Sequence, residues 1–306
     1  MNHGSFLLAV LIVSASCSGF DQREVIAGSH RQQSMSSLDD RSIIYLGFSG
    51  SDEPWLAAKT YRALSDHLTA HTPYRFQVTI GRNAEELLGF LEERYVDVAL
   101  LGVVSYLDAR KQFGAVPLVK PLGKNGQPVA RSAFITRERG PVADLSDLRG
   151  RSLALSSAHS SLGNLIPRYE LMDAGLPIGE LQELENLNHG SDVVESVLEG
   201  RFDAGVVEER VARSNLSRGL RQFHASRPIP TGPFTVRPDL PHSVTKLIVE
   251  TLLLLRIEDA DKRADWNESV RYGFVRTSDE DYAPIRQIIN RRPNGCAGTC
   301  HPDVRF

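Results

Sequence analysis

Between Leu153 and Pro167 the chain reads LALSSAHSSLGNLIP: a short apolar strand, a run of hydroxyl side chains, a glycine and a helix start. Ser156, Ser157, His159, Ser160 and Ser161 fall where the strand empties toward that helix. Hydroxyl donors and bare backbone N–H groups at the positive end of a helix dipole make a cradle for an anion. Pro167 has no N–H to donate, so it belongs in a first turn, and regular α-helix is expected from Gly163 or Asn164. A serine ahead of an apolar run is also the commonest N-cap, so Ser160 or Ser161 as a plain helix cap stands as the alternative.

Catalytic readings have less support. Serine, histidine and acid are all present, but there is no G-x-S-x-G elbow, no lysine-bearing phosphate loop and no dinucleotide-binding glycine fingerprint. A hydrolase is therefore the weaker reading, with no catalytic residue assigned and no metal or cofactor expected. A net charge of −3 over 306 residues argues against nucleic acid as partner. An anion must then be captured by local groups rather than by a global positive field. The 41% hydrophobic and 24% charged content suits one large or two ordinary globular domains.

Both termini carry signals of their own. Phe6 to Val13 is an apolar run too short to span a bilayer, followed by Ser14, Ala15, Ser16 and Cys17. Residues 1–16 read as an export signal resembling that of bacterial lipoproteins, which makes Cys17 the candidate for lipidation. Ser14 in place of the usual leucine, and an n-region MNHGS without Lys or Arg, keep ordinary signal-peptidase cleavage as the alternative. Residues 17–41 then form a polar, flexible tether. Cys296 and Cys300 lie in the tail 291–306, where an exported location permits a disulfide. CAGTCH stands one residue from the C-x-x-C-H pattern of haem attachment, and Cys296, Cys300 and His301 as metal ligands are a further alternative.

The intervening chain alternates strands and helices. Ile43–Phe48 is a strand running into Ser49, Gly50 and Ser51, with Ser51 as the expected cap of the next helix. Arg75–Ile80, a helix capped at Asn83 and the strand Val96–Leu101 make a further unit. A similar unit runs from Leu184 through a cap at Ser191 to the strand Phe202–Val207, with VDVA at 96–99 echoed by FDAG at 202–205. Such α/β alternation predicts parallel sheets under helices, and the echo predicts two lobes. The lobes are read as 42–125, 126–226 and a return segment 227–290, with Leu247–Ile257 as a core helix. Ligands collect at the carboxyl ends of such strands, so the loops 49–51, 102–106, 156–161 and 207–209 are expected to line one cleft.

Several stretches resemble the phosphate, phosphite and phosphonate substrate-binding proteins of bacterial ABC transporters. They are DVALLGVVSYLDA (97–109), SAFITR (132–137), DLRGRSLALSSAHSSLGNLIPRYELMDAGL (147–176), VLEGRFDAGVV (197–207), RPIPTGPFTVRPDLP (227–241) and YGFVRTSDEDYAPIR (272–286). The resemblance implies a two-lobed type II periplasmic-binding-protein fold, α/β in class, with a ligand cleft between the lobes. It implies a small oxyanion of phosphate, phosphite or phosphonate type as ligand and an ABC permease as partner, in a monomer of the periplasm or cell envelope. A sensory subunit presenting an oxyanion, arsenite included, to a membrane histidine kinase is the alternative.

The same resemblance suggests the site. The family's Ser-Thr-Ser before the glycine corresponds to Ser160, Ser161 and Leu162 before Gly163, so one hydroxyl is lost. Tyr106 matches the family tyrosine after the lobe-one strand, His189 a loop histidine displaced by one position, and Glu208 the acid after the lobe-two strand, with Arg210 where an aromatic is common. Ser49, Ser51 and His159 complete the expected ligand set, and Arg131 is a further cation near it. An ionised Glu208 would repel a full oxyanion and favour a species that donates a hydrogen bond; its alternative role is to start a helix as a dipole-compensating acid.

Overall fold

A computed structural model describes residues 43–50 and 54–290. Ser51, Cys17, Cys296, Cys300 and His301, with the signal, tether and tail, lie outside the described residues. The chain begins with β1 (Ile43–Ser49), α1 (Pro54–His71), β2 (Arg75–Gly81), α2 (Ala84–Glu92), β3 (Val98–Leu100), α3 (Val103–Phe113) and β4 (Val116–Pro121). A short β5 (Val129–Ala130) leads to β6 (Ser132–Arg137), β7 (Ser152–Leu155), α4 (Ile166–Asp173), β8 (Glu183–Asn186), α5 (Gly190–Leu198), β9 (Ala204–Glu208), α6 (Glu209–Asn215) and β10 (Leu220–Ala225). The path returns through β11 (Ile229–Pro230) to β12 (Phe234–Val236), α7 (His242–Leu253), α8 (Glu268–Arg271), β13 (Phe274–Arg276) and α9 (Ala283–Asn290).

Among the described residues two large sheets form, one in each lobe, besides the two-stranded β5–β11 ribbon. The first has strand order β13-β4-β12-β3-β1-β2 and the second β10-β6-β9-β7-β8. β5 and β11 pair antiparallel, Ala130 opposite Ile229, so the two chain crossings between the lobes run side by side. The sheets are mixed rather than all parallel. β1 is parallel to β2 and β3, and β7 to β8 and β9, whereas β12 runs antiparallel to β3 and β4, β13 to β4, and β6 to β9 and β10. The expectation of parallel sheets missed the returning strands, whose direction is set by where the chain re-enters the sheet.

Each sheet is covered on both faces, as the apolar content of its strands requires. Ile44, Leu46 and Phe48 of β1 pack with Leu64 and Leu68 of α1 and Ile248 and Leu252 of α7. The cluster containing Leu87, Leu91, Val96, Tyr106 and Tyr282 gathers α2, α3 and the C-terminal segment. In the second sheet the period-two alternation of β6 sends Ala133 and Ile135 to the α5 side, with Val193 and Val197, and Phe134 to the opposite side with Leu153 and Leu171.

The echoed aspartates do equivalent work in the two lobes. Asp97, fully buried, accepts from the Tyr45 N–H of β1 at 3.0 Å and lies 3.5 Å from the Arg237 guanidinium, itself only 5% exposed. Arg237 also donates to the Val96 carbonyl at 2.8 Å, so the returning chain is tied to the β1–β3 pair. Asp203 accepts from both the N–H and the hydroxyl of Ser152 at the head of β7, each at 3.2 Å. In each case the acid just before a strand clips onto the neighbouring parallel strand.

Some boundaries depart from expectation. α7 starts at His242, directly after Pro241, and ends at Leu253, because the apolar residues that mark it extend N-terminally through Val244. α5 is capped by His189 in a capping box with Asp192, not by Ser191, because its first turn opens at Gly190.

Candidate ligand cleft

A cleft of about 620 Å³ opens between the lobes, lined from the first by Ser49, Gly102 and Ser105 and from the second by Ser160, His189 and Glu208. The serine loop lines it from the second lobe. The Ser160 hydroxyl accepts from the Gly163 N–H at 3.0 Å, making Ser160 the N-cap residue. The following turn, Ser161–Leu165, is π-helical, and regular α-helix begins only at Ile166. Pro167 explains the difference. Its missing N–H cannot satisfy the Gly163 carbonyl four residues back, and the Ser156 N–H takes that acceptor instead at 2.8 Å. The turn is thereby widened at the cleft wall, and Leu165 donates back to the Ser160 carbonyl at 3.1 Å.

Gly163 is required here. A Cβ on it would lie 2.5 Å from Ser156 Cβ and 2.9 Å from Ser160 Oγ, so only glycine lets the two hydroxyls crowd the helix mouth. Asn164, which the sequence reading did not single out, locks the loop from behind. Its amide donates to the Ser156 carbonyl at 2.7 Å and to Asn186 Oδ1 at 2.8 Å, and its oxygen accepts from Arg168 at 2.7 Å. Asparagine four residues ahead of an arginine on a helix was the available signal, but its partner Asn186 lies on another strand.

The loop also reaches across the cleft. Ser161 Oγ accepts from the Val104 N–H of α3 at 2.9 Å. α3 opens on Gly102, which has no side chain to cap it, so a hydroxyl from the second lobe caps a helix of the first. His159 Nε2 lies 3.5 Å from Glu85 Oε2 of α2, a second contact between lobes. Burial pushes the nearby Asp108 carboxyl up, opposed by His159 and Lys111.

The opposite wall carries charge. Glu208 is the residue on which α6 opens, and its Oε1 lies 2.8 Å from Arg210 Nε. The N–H of Arg210 Nε is misaligned for a hydrogen bond, so the contact is an ion pair only. Glu208 holds the Arg210 guanidinium above its ordinary pKa. Arg213 of α6 lies 3.6 Å from Glu268 of α8, again between lobes. Tyr61 faces this wall, stacked on Phe48 with centroids 3.8 Å apart and bonded through its hydroxyl to Ser269 at 3.0 Å; burial raises its pKa. Tyr61, Arg213, Glu268 and Ser269 were not singled out in the sequence, because no local motif marks residues that meet only through the fold.

The ligand set anticipated from sequence divides accordingly. Ser49, His159, Ser160, Ser161, Leu162, Gly163, His189 and Glu208 all line the cleft. Tyr106 does not. It is fully buried, its ring 4.8 Å from that of Tyr282, and its hydroxyl donates to Asp279 at 2.6 Å. Burial and the Asp279 carboxylate push that hydroxyl pKa up, as expected of a phenol serving as a core donor. The helical phase of α3 gives the cleft Val103 and Ser105 instead. Arg131 lines the cleft near the crossings and donates to the Ser226 carbonyl at 2.8 Å.

Among the described residues no group of three or more His, Cys, Asp or Glu is placed to hold a metal ion. No described helix is long and apolar enough to cross a membrane. Hydroxyls and a widened helix mouth line the cleft between the lobes. Two sheets joined by paired crossings, with such a cleft between them, define a two-lobed solute-binding protein.

A family model described as the periplasmic substrate-binding protein of phosphonate ABC transporters matches residues 47–282, and the chain belongs to that family. The fold is similar to that of a binding-protein component of an ABC phosphonate transporter from Pseudomonas aeruginosa. That match has a TM-score of 0.70 and 17% identity over 82% of this chain and 86% of that one. PhnD1 from Prochlorococcus marinus, solved with methylphosphonate, matches at a TM-score of 0.71 and 18% identity over 81% and 97%. A periplasmic domain of BvgS from Bordetella pertussis is similar at a TM-score of 0.52 and 17% identity over 75% and 95%. Family membership makes this a periplasmic protein that carries a small ligand to a membrane permease, and does not favour the sensor-kinase alternative.

Proposed function

We propose that the cleft captures a phosphonate-type oxyanion through the hydroxyls of Ser160 and Ser161 and the backbone of the helix mouth, and delivers it without chemical change. The observation that carries this reading is that Ser160 and Ser161, both lining the cleft, accept from the Gly163 and Val104 N–H groups, so that each hydroxyl still has a proton to donate to a ligand at the π-widened turn. Ser49, His159 and His189 line the same cleft, and closure of the lobes would exclude water and strengthen each hydrogen bond.

The pairing of Glu208 with Arg210 bears on the ligand's charge. A carboxylate 2.8 Å from a guanidinium repels an incoming anion far less than a bare one, so the wall tolerates a doubly ionised phosphonate. Among the described residues of the cleft, the Ser160 hydroxyl is paired with the Gly163 N–H and the His159 ring lies against the exposed Glu85 carboxylate. The absence of turnover with chromogenic ester and phosphate substrates is the expected result.

Calorimetric titration of the mature protein with phosphate, phosphite, methylphosphonate, sulfate and arsenite tests the assignment. Binding of a phosphorus oxyanion and not of sulfate supports it, and binding of none of them sinks it. The protein is further proposed to act as a monomer, seen as a single mass in light scattering, and to be anchored through Cys17. Cys17→Ala then moves it from the membrane to the soluble fraction, and an unchanged distribution argues for simple cleavage.

A further inference from the structure

Beside the serine hydroxyls the cleft wall turns apolar. Leu162 follows Ser160 and Ser161 directly, lines the same cleft, and packs against the cluster that joins Ile166 to Val103, Leu107 and Ile229. Leu101 and Val103 line the cleft from the first lobe. That packing gives Leu162 little freedom to withdraw when a ligand arrives.

We propose that Leu162 sets the ligand preference, covering the alkyl substituent of a phosphonate and rejecting inorganic phosphate. The inference rests on the serine loop being the anion cradle. Phosphate has a fourth oxygen where a phosphonate has carbon. With the other oxygens on the hydroxyls and helix mouth, that fourth oxygen meets a leucine side chain that can donate nothing, and a desolvated, unpartnered oxygen is strongly penalised. An alkyl group placed there instead gains affinity with each methylene it buries.

The test is calorimetric titration of the full mature chain, wild type, Leu162→Ser and Leu162→Met, with phosphate, methylphosphonate and propylphosphonate. Wild type is expected to bind methylphosphonate at least about tenfold more tightly than phosphate, and to gain roughly threefold per added methylene. Leu162→Ser is expected to collapse the first ratio to about twofold, while Leu162→Met, apolar and of similar size, keeps it. A Leu162→Ser protein with the wild-type ratio, or a wild type that prefers phosphate, overturns the proposal while leaving the cradle intact. Should Leu162→Ser fail to fold, a wild-type series flat from phosphate to propylphosphonate overturns it equally. Failure of the wild type to bind any of the three overturns the cradle assignment itself and the preference with it.

Discussion

Ser160 illustrates how little separates a structural hydroxyl from a binding one. Its oxygen accepts from Gly163 at 3.0 Å, which satisfies one orphan N–H of the helix start, and the hydroxyl keeps a proton it can donate at the cleft. Replacing a capping serine by alanine costs about 1 kcal/mol of stability. Glu208 gives a sharper residue-scale prediction. Glu208→Gln leaves Arg210 without its carboxylate partner at 2.8 Å, although Glu268 still acts on it, so affinity for methylphosphonate should rise a few-fold in low salt and the gain should fade as salt is added. Weaker binding in the variant would mean instead that Glu208 accepts a hydrogen bond from a protonated ligand. At this scale the serine loop was legible because its hydroxyls, glycine and proline are contiguous. Tyr106 was not, since the acid that holds its hydroxyl, Asp279, lies 173 residues away in the chain.

At the scale of elements, the turn before α4 and the mouth of α3 form one seam. Gly102 supplies no cap to α3, and Ser161 supplies one from the other lobe at 2.9 Å. Together with His159–Glu85 and Arg213–Glu268 this ties the lobes across the cleft. Ser161→Ala removes the only one of these three contacts that is a backbone-directed hydrogen bond. The variant is expected to be more open without ligand, seen as a larger radius of gyration in small-angle scattering, and an unchanged radius would argue against the seam. Strands and most helices could be read from apolar runs and capping residues. The π turn could not, because it depends on the Ser156 N–H reaching Gly163 after the loop has folded back on itself. Nor could the antiparallel return of β12, whose place between β3 and β4 is decided by the whole lobe.

At the scale of the molecule, the VDVA and FDAG echo was the sequence's clearest sign of two lobes, and its aspartates explain why. Each fastens the strand beside it, Asp97 to β1 and Asp203 to β7, so the same device organises both sheets. The buried pair of Asp97 with Arg237 also secures the segment that returns from the second lobe to the first. Asp97→Ala leaves the buried guanidinium only the part-exposed Asp239 and takes the acceptor from the Tyr45 N–H, and a loss of about 3 kcal/mol is expected in denaturant unfolding. A loss under about 1 kcal/mol would mean that Asp239, 3.0 Å from Arg237, carries the pairing alone.

The serine loop is proposed to hold a phosphonate. Titration of methylphosphonate into the wild type and Ser160→Ala, each shown folded by its thermal transition, tests it most directly. Saturable one-to-one binding by the wild type, weakened about tenfold or more in the variant, is the predicted result. Equal affinity in the two proteins, or no binding by the wild type, would contradict it.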